Sequence, residues 1–131
     1  TMNAIIRFVF PAIVALACLA GCGRSDLPPL GRVAGTVTLD GVPLPAALVV
    51  FTPSDRGRAA IATTDTAGHY ELAFLRDIAG ANVGSHSVRI TTATEDRGGK
   101  EILPARYHRK TELVATVEPG DNTLDFPLES R

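Results

Sequence analysis

From Arg32 to the end of the chain, apolar side chains recur at every second position, in short runs cut by turn-forming residues every eight to twelve positions. Successive side chains of a strand point to opposite faces, so this alternation describes half-buried strands and excludes a helix, whose period is 3.6. Val33, Gly35, Val37 and Leu39 alternate with Arg32, Ala34, Thr36 and Thr38. Asp40-Gly41 follows, the dipeptide favoured where a tight hairpin needs positive φ. Ala47, Val49 and Phe51 carry the next strand to Pro53, and Ile61 and Thr63 lead to a turn at Asp65-Thr66-Ala67-Gly68. Tyr70, Leu72 and Phe74 then share one face. The triplets His86/Val88/Ile90, Leu113/Ala115/Val117 and Leu124/Phe126/Leu128 repeat the pattern, with Pro119-Gly120 between the last two. No stretch of ten residues in this part carries a helical stripe. The expectation is all-β: a single Ig-like β-sandwich of about seven strands.

The segment before this part has a different character. Arg7 is the only charge ahead of Cys22, and Phe8 to Leu19 is an apolar run broken by Pro11. As a helix it would reach about 18 Å, short of the ~30 Å core of a bilayer. One positive charge, a short apolar run and then small residues are the layout of a secretory signal. Leu19-Ala20-Gly21-Cys22 resembles the lipobox of bacterial lipoproteins. The resemblance implies cleavage between Gly21 and Cys22 and lipidation of Cys22, which would become the first mature residue. Two or more acyl chains anchor a protein stably, at about 0.8 kcal/mol per buried CH₂. The expected organisation is therefore a lipoprotein signal peptide over residues 1–21, a lipidated N-terminus and Pro-rich linker over 22–31, and a folded domain over 32–131. That leaves about 100 residues, enough for one small core and too few for two. Gly23, rather than Asp, follows the lipidated position. Under the best-known sorting rule this implies the outer membrane of a cell envelope that has one.

The strands of the domain carry a second resemblance. The run Val33-x-Gly35-x-Val37-x-x-Asp40-Gly41-x-Pro43-Leu44-x-x-Ala47-x-Val49-x-Phe51-x-Pro53 is similar to the opening of carboxypeptidase regulatory-like domains. Thr64-Asp65-x-x-Gly68-x-Tyr70 and Gly84-x-His86-x-Val88-x-Ile90 resemble later signatures of that family, and Leu103-Pro104-x-x-Tyr107 and Gly120-x-Asn122 resemble a subgroup of small bacterial lipoproteins. The resemblance implies a transthyretin-like sandwich. It implies no activity, because members attached to carboxypeptidases are accessory domains without catalytic residues.

The residue inventory leaves little room for chemistry. Both cysteines, Cys18 and Cys22, lie at or before the expected cleavage point, so the domain has no disulfide, thiolate or cysteine-based metal site. His69, His86 and His108 are scattered; His69 and Glu71 would share a face of a strand, but one pair does not make a site. His86 is expected as a hydrogen-bonded core or edge histidine. Asp65 with Gly68 hints at a calcium loop, yet calcium needs a denser set of oxygen ligands; an Asp bonded to its own turn is the reading favoured. No serine sits in a nucleophile elbow and no Gly-rich phosphate loop opens a helix. The expectation is no enzyme, no cofactor and no metal. A net charge of −1 gives no reason to expect nucleic acid.

One stretch is dense in charge: Glu95, Asp96, Arg97, Lys100, Glu101, Arg106, His108, Arg109, Lys110 and Glu112. Loops on a rigid scaffold are where binding resides, so Arg106, His108, Arg109 and Lys110 form the candidate binding loop, against the simpler reading of a solvated connection pinned by Leu103 and Tyr107. The partners expected are a lipid membrane through Cys22 and an envelope protein. A glycan is the alternative partner, with only Tyr70 and Tyr107 available for stacking and no Trp.

Overall fold

The computed structural model describes residues 27–95 and 98–131; the expected signal segment, Cys22 and most of the linker lie outside them. The described chain is an all-β sandwich of two sheets, without an α-helix. Its strands are β1 (Leu30–Leu39), β2 (Val42–Pro43), β3 (Leu48–Pro53), β4 (Ala60–Thr63), β5 (His69–Glu71), β6 (Ala73–Leu75), β7 (Ile78–Ala79), β8 (Ala81–Asn82), β9 (Gly84–Thr91), β10 (Leu113–Val117), β11 (Gly120–Thr123) and β12 (Phe126–Leu128). A 3-10 turn, Ala105–Tyr107, interrupts the long connection after β9.

The first sheet is built on β1. Along one edge it pairs antiparallel with β8, β5 and β2 in turn, and along the other it pairs parallel with β11 and then β12. β11 and β12 are one segment broken at Leu124-Asp125. The break sits beside Gly35, where an added Cβ would lie 2.7 Å from the carbonyl carbon of Leu124. The Asp125 carboxylate accepts the Thr36 amide at 2.9 Å across the gap. The second sheet has the order β10-β9-β3-β4-β6-β7, antiparallel throughout.

The run from His69 to Leu75 changes sheets. His69–Glu71 pairs with β1, Leu72 donates its amide to Val33, and Ala73 pairs with Ile61 in the second sheet. Residues 78–82 cross back the same way, since β7 pairs with β6 and β8 with β1. On this side the two sheets are stitched together by continuous chain. On the opposite side β10 passes into β11 through Glu118-Pro119, with Asn122 bonded to both backbone groups of Glu118, but among the described residues no ladder hydrogen bonds join β10 to β11 or β12.

The core lies between the sheets: Val33, Val37, Val49, Phe51, Leu72, Val88 and Ile90 are all at most 1% exposed. Phe126 meets Phe51 edge-on at 6.1 Å and Tyr70 at 6.2 Å. Burial pushes the Tyr70 phenol up, with the nearby Asp125 charge adding to it, and the hydroxyl donates to the Leu124 carbonyl at 2.6 Å. Asp40 and Gly41 both have positive φ, 51° and 85°, as the hairpin turn requires.

The strand pattern departs from the sequence expectation at its start and in three short additions. The first strand begins at Leu30, two residues before Arg32, because Leu30 and Gly31 already pair with Asn82 and Ala81. Seven long runs do carry the sandwich, counting His69–Leu75 and Gly120–Leu128 as one each. The two-residue strands β2, β7 and β8 add to them, being too short to show any period.

Candidate functional site

The topology fixes the ends of the molecule. β1 enters at Leu30, beside Asn82, with the Pro29 carbonyl accepting the Val83 amide. It leaves at Leu39, about 30 Å away at ~3.3 Å per residue. β9 runs from Gly84 at the entry end to Thr91 at the far end, so the 92–112 connection lies at the end opposite the linker.

That connection is organised around Glu101. Its carboxylate accepts the Thr92 hydroxyl at 2.6 Å, the Thr92 amide at 2.9 Å, the Leu103 amide at 3.3 Å and the Thr91 hydroxyl. The Thr92 hydroxyl in turn accepts the Ile102 amide at 2.8 Å. Burial alone would push the Glu101 carboxyl up, but the Thr91 and Thr92 hydroxyls and the two backbone amides outweigh it and hold its pKa at about 2. His108 Nε2 donates to the Leu103 carbonyl at 3.0 Å and lies 3.7 Å from the same carboxylate. Leu103 and Tyr107 are buried, and pin the connection to the core as the sequence suggested.

The structure divides the four candidate loop residues into two pairs. Arg106 is held at 2.6 Å by the Arg131 carbonyl, and its guanidinium lies 4.7 Å from the Tyr107 ring centroid. His108 is turned toward Glu101 and is half-buried. Arg109 and Lys110 are exposed, beside the outward Ile102, which is 42% exposed. Only the second pair faces solvent as a binding surface would. The Asp40 carboxylate accepts the Ser130 hydroxyl at 2.6 Å and amide at 3.0 Å, which ties the chain terminus to the same end. The Ser130 bonds hold the Asp40 carboxyl below the usual range.

The other residues singled out in the sequence serve the fold. Asp65 accepts the amides of Ala67 and His69, both at 2.9 Å, and the His69 bond holds its carboxyl below the usual range. Gly68 closes that turn with φ at +79°. His69 and Glu71 do share the outer face of β5 and line a broad open trough with Asp65, Asp125, Thr36 and Thr123. Among the described residues, no three His, Cys, Asp or Glu side chains are gathered closely enough to hold a metal ion. His86 is fully buried, donating Nε2–H to the Asn82 carbonyl at 2.7 Å with its ring 5.5 Å from Phe51. Every Phe and Tyr ring among the described residues is buried.

In the sequence Glu101 is one charge among ten, and charge density alone does not mark its role. The signal available was Thr91-Thr92 at the end of an apolar strand, two hydroxyls placed where a carboxylate could be captured. Its depressed pKa implies a stability term that is complete above about pH 4.5 and lost as pH falls toward 2. Discounted for partial exposure, that term is about 2 kcal/mol. Glu101→Gln should therefore lose about 2 kcal/mol in denaturant titrations at pH 7 and much less at pH 2.5. An equal loss at both pH values would mean the carboxylate charge is not what holds the connection.

No protein-family model matches this chain, and no curated protein matches it. Among solved structures, a DUF3823 family protein from Parabacteroides merdae is similar, with a TM-score of 0.45 and 11% identity over 77% of this chain. The match spans 46% of that protein, less than half of its length.

Proposed function

We propose that this protein is a membrane-anchored lipoprotein whose sandwich is a non-catalytic, carboxypeptidase regulatory-like (transthyretin-like) module that supports or binds a protein partner at the cell envelope. The observation that carries this reading is the placement of the two ends. The chain enters the domain at Leu30, a few residues after Cys22, and the 92–112 connection sits at the opposite end. Acylation of Cys22 would therefore turn the entry end to the lipid and present Ile102, Arg109 and Lys110 away from it. The polar groups that enzymes use for catalysis (Glu101, His86, His108 and Asp65) are each bonded to neighbouring backbone, which supports a structural role for them.

The anchor is tested by metabolic labelling with an alkyne fatty acid. The wild-type protein is expected to carry the label and fractionate with membranes, in the outer membrane where the host has one. Cys22→Ser is expected to lose the label completely and accumulate as soluble protein or precursor. Label retained in Cys22→Ser would overturn the assignment.

A further inference from the structure

β10 has a neighbour on one side only: it pairs with β9, and none of the described strands joins its other edge. Natural sheets protect such an edge with a charge, a proline or a bulge. β10 has none of these: Leu113-Val114-Ala115-Thr116-Val117 is uncharged, and its register against β9 is unbroken over five pairs. Val114 on its outer face is 75% exposed, the most exposed large apolar side chain described. The core side is also unfinished there. Leu113 and Ala115 point inward yet are only half-buried, as is Leu124, and all three pack against the core. They lie on the side where, among the described residues, the two sheets meet without ladder pairing.

We infer that the β10 edge is a docking site for an extended segment of a partner protein, a stretch of about five uncharged residues with a basic residue at each end. The charge pattern on the strand selects this occupant. Glu112 and Glu118, both exposed, bracket the five uncharged residues. An added strand would satisfy the open edge groups, cover Val114 and close the seam over Leu113 and Ala115, while Lys or Arg at its ends would face the two glutamates. A second copy of β10 is the wrong occupant: antiparallel pairing centred on Ala115 sets Glu112 of each copy opposite Glu118 of the other. The site deepens the protein-binding part of the function proposed above and rests on it.

The test uses the full chain in detergent micelles and fluorescent seven-residue peptides of alternating valine and threonine, ended by lysine, by glutamate, or by lysine with a central proline. Fluorescence anisotropy is expected to show the lysine-ended peptide binding at least about five-fold more tightly than the glutamate-ended one, with the proline peptide not binding. Val114→Lys should weaken binding, and the double variant Glu112→Lys/Glu118→Lys should invert the preference. Circular dichroism of each variant checks that the sandwich remains folded. Equal binding of the two charged peptides, or no binding up to about 1 mM, overturns the proposal. So does concentration-dependent dimerisation that Val114→Lys abolishes, which would make a second copy the occupant. Failure of the peptide with the fatty-acid label intact at Cys22 sinks the edge site alone; loss of the label with peptide binding intact sinks only the anchor.

Discussion

Phe51→Ala is expected to destabilise the domain by about 3–5 kcal/mol, a large share of the ~5–15 kcal/mol that holds a domain of this kind together. Phe51 is fully buried at the centre of β3, which is flanked on both sides by β9 and β4. Its ring touches both Phe126 of the other sheet and His86. Strands bonded on two sides cannot collapse into the space left behind, so the lost contacts are not recovered. Phe126→Ala should fall at the lower end of the same range, because Phe126 is 8% exposed and lies on a short outer strand. Equilibrium denaturant titration measures both. A loss below about 1 kcal/mol for Phe51→Ala would mean that the two sheets do not pack through this residue.

Gly35→Ala is the second substitution with a large expected effect, although it adds only one methyl group. The new carbon would lie 2.7 Å from the Leu124 carbonyl carbon and 3.1 Å from the Asp125 carboxylate. Neither can retreat cheaply, since the Leu124 carbonyl accepts the Tyr70 hydroxyl and the Asp125 carboxylate accepts the Thr36 amide. Relief requires the 120–128 segment to peel from β1, which also loosens Phe126. The expected cost is about 3 kcal/mol or more, with faster hydrogen exchange at Thr36 and Leu124, whose amides bond across this seam. A cost below about 1 kcal/mol would show that the final segment does not lie against Gly35.

Local structure was legible where it is set by neighbours in sequence. Asp40-Gly41 and Asp65 to Gly68 form the turns their residues demand, and Val33, Val49, Phe51, Tyr70, Leu72 and Phe74 are buried as their spacing requires. What was hidden depends on partners far along the chain. Alternation through Tyr70, Leu72 and Phe74 is the same whether a strand stays in one sheet or moves between two, so the crossing at Leu72 left no mark. In β4 the larger residue faces outward: Ile61 is 50% exposed while Ala60 is buried, because the register against β3 places Ala60 opposite Phe51. The candidate loop was found as a stretch but not resolved into residues. Charge density could not show that Arg106 would reach the Arg131 carbonyl 25 positions away while Arg109 would reach solvent.

The pairing of the first strand with the last has a consequence for how the molecule is made. Leu30–Leu39 is the centre of its sheet, and one whole edge of it stays empty until residues 120–128 are present. Bringing these segments together closes a loop of about 90 residues, at an entropic cost of about 4 kcal/mol, and contacts this distant in sequence place folding on the millisecond-to-second scale. A ribosome delivers the chain from its N-terminus, so the first strand waits for residues 120–128 to emerge. Until then the polypeptide remains an unfolded strand, and it acquires its native form only after residues 120–128 have been delivered.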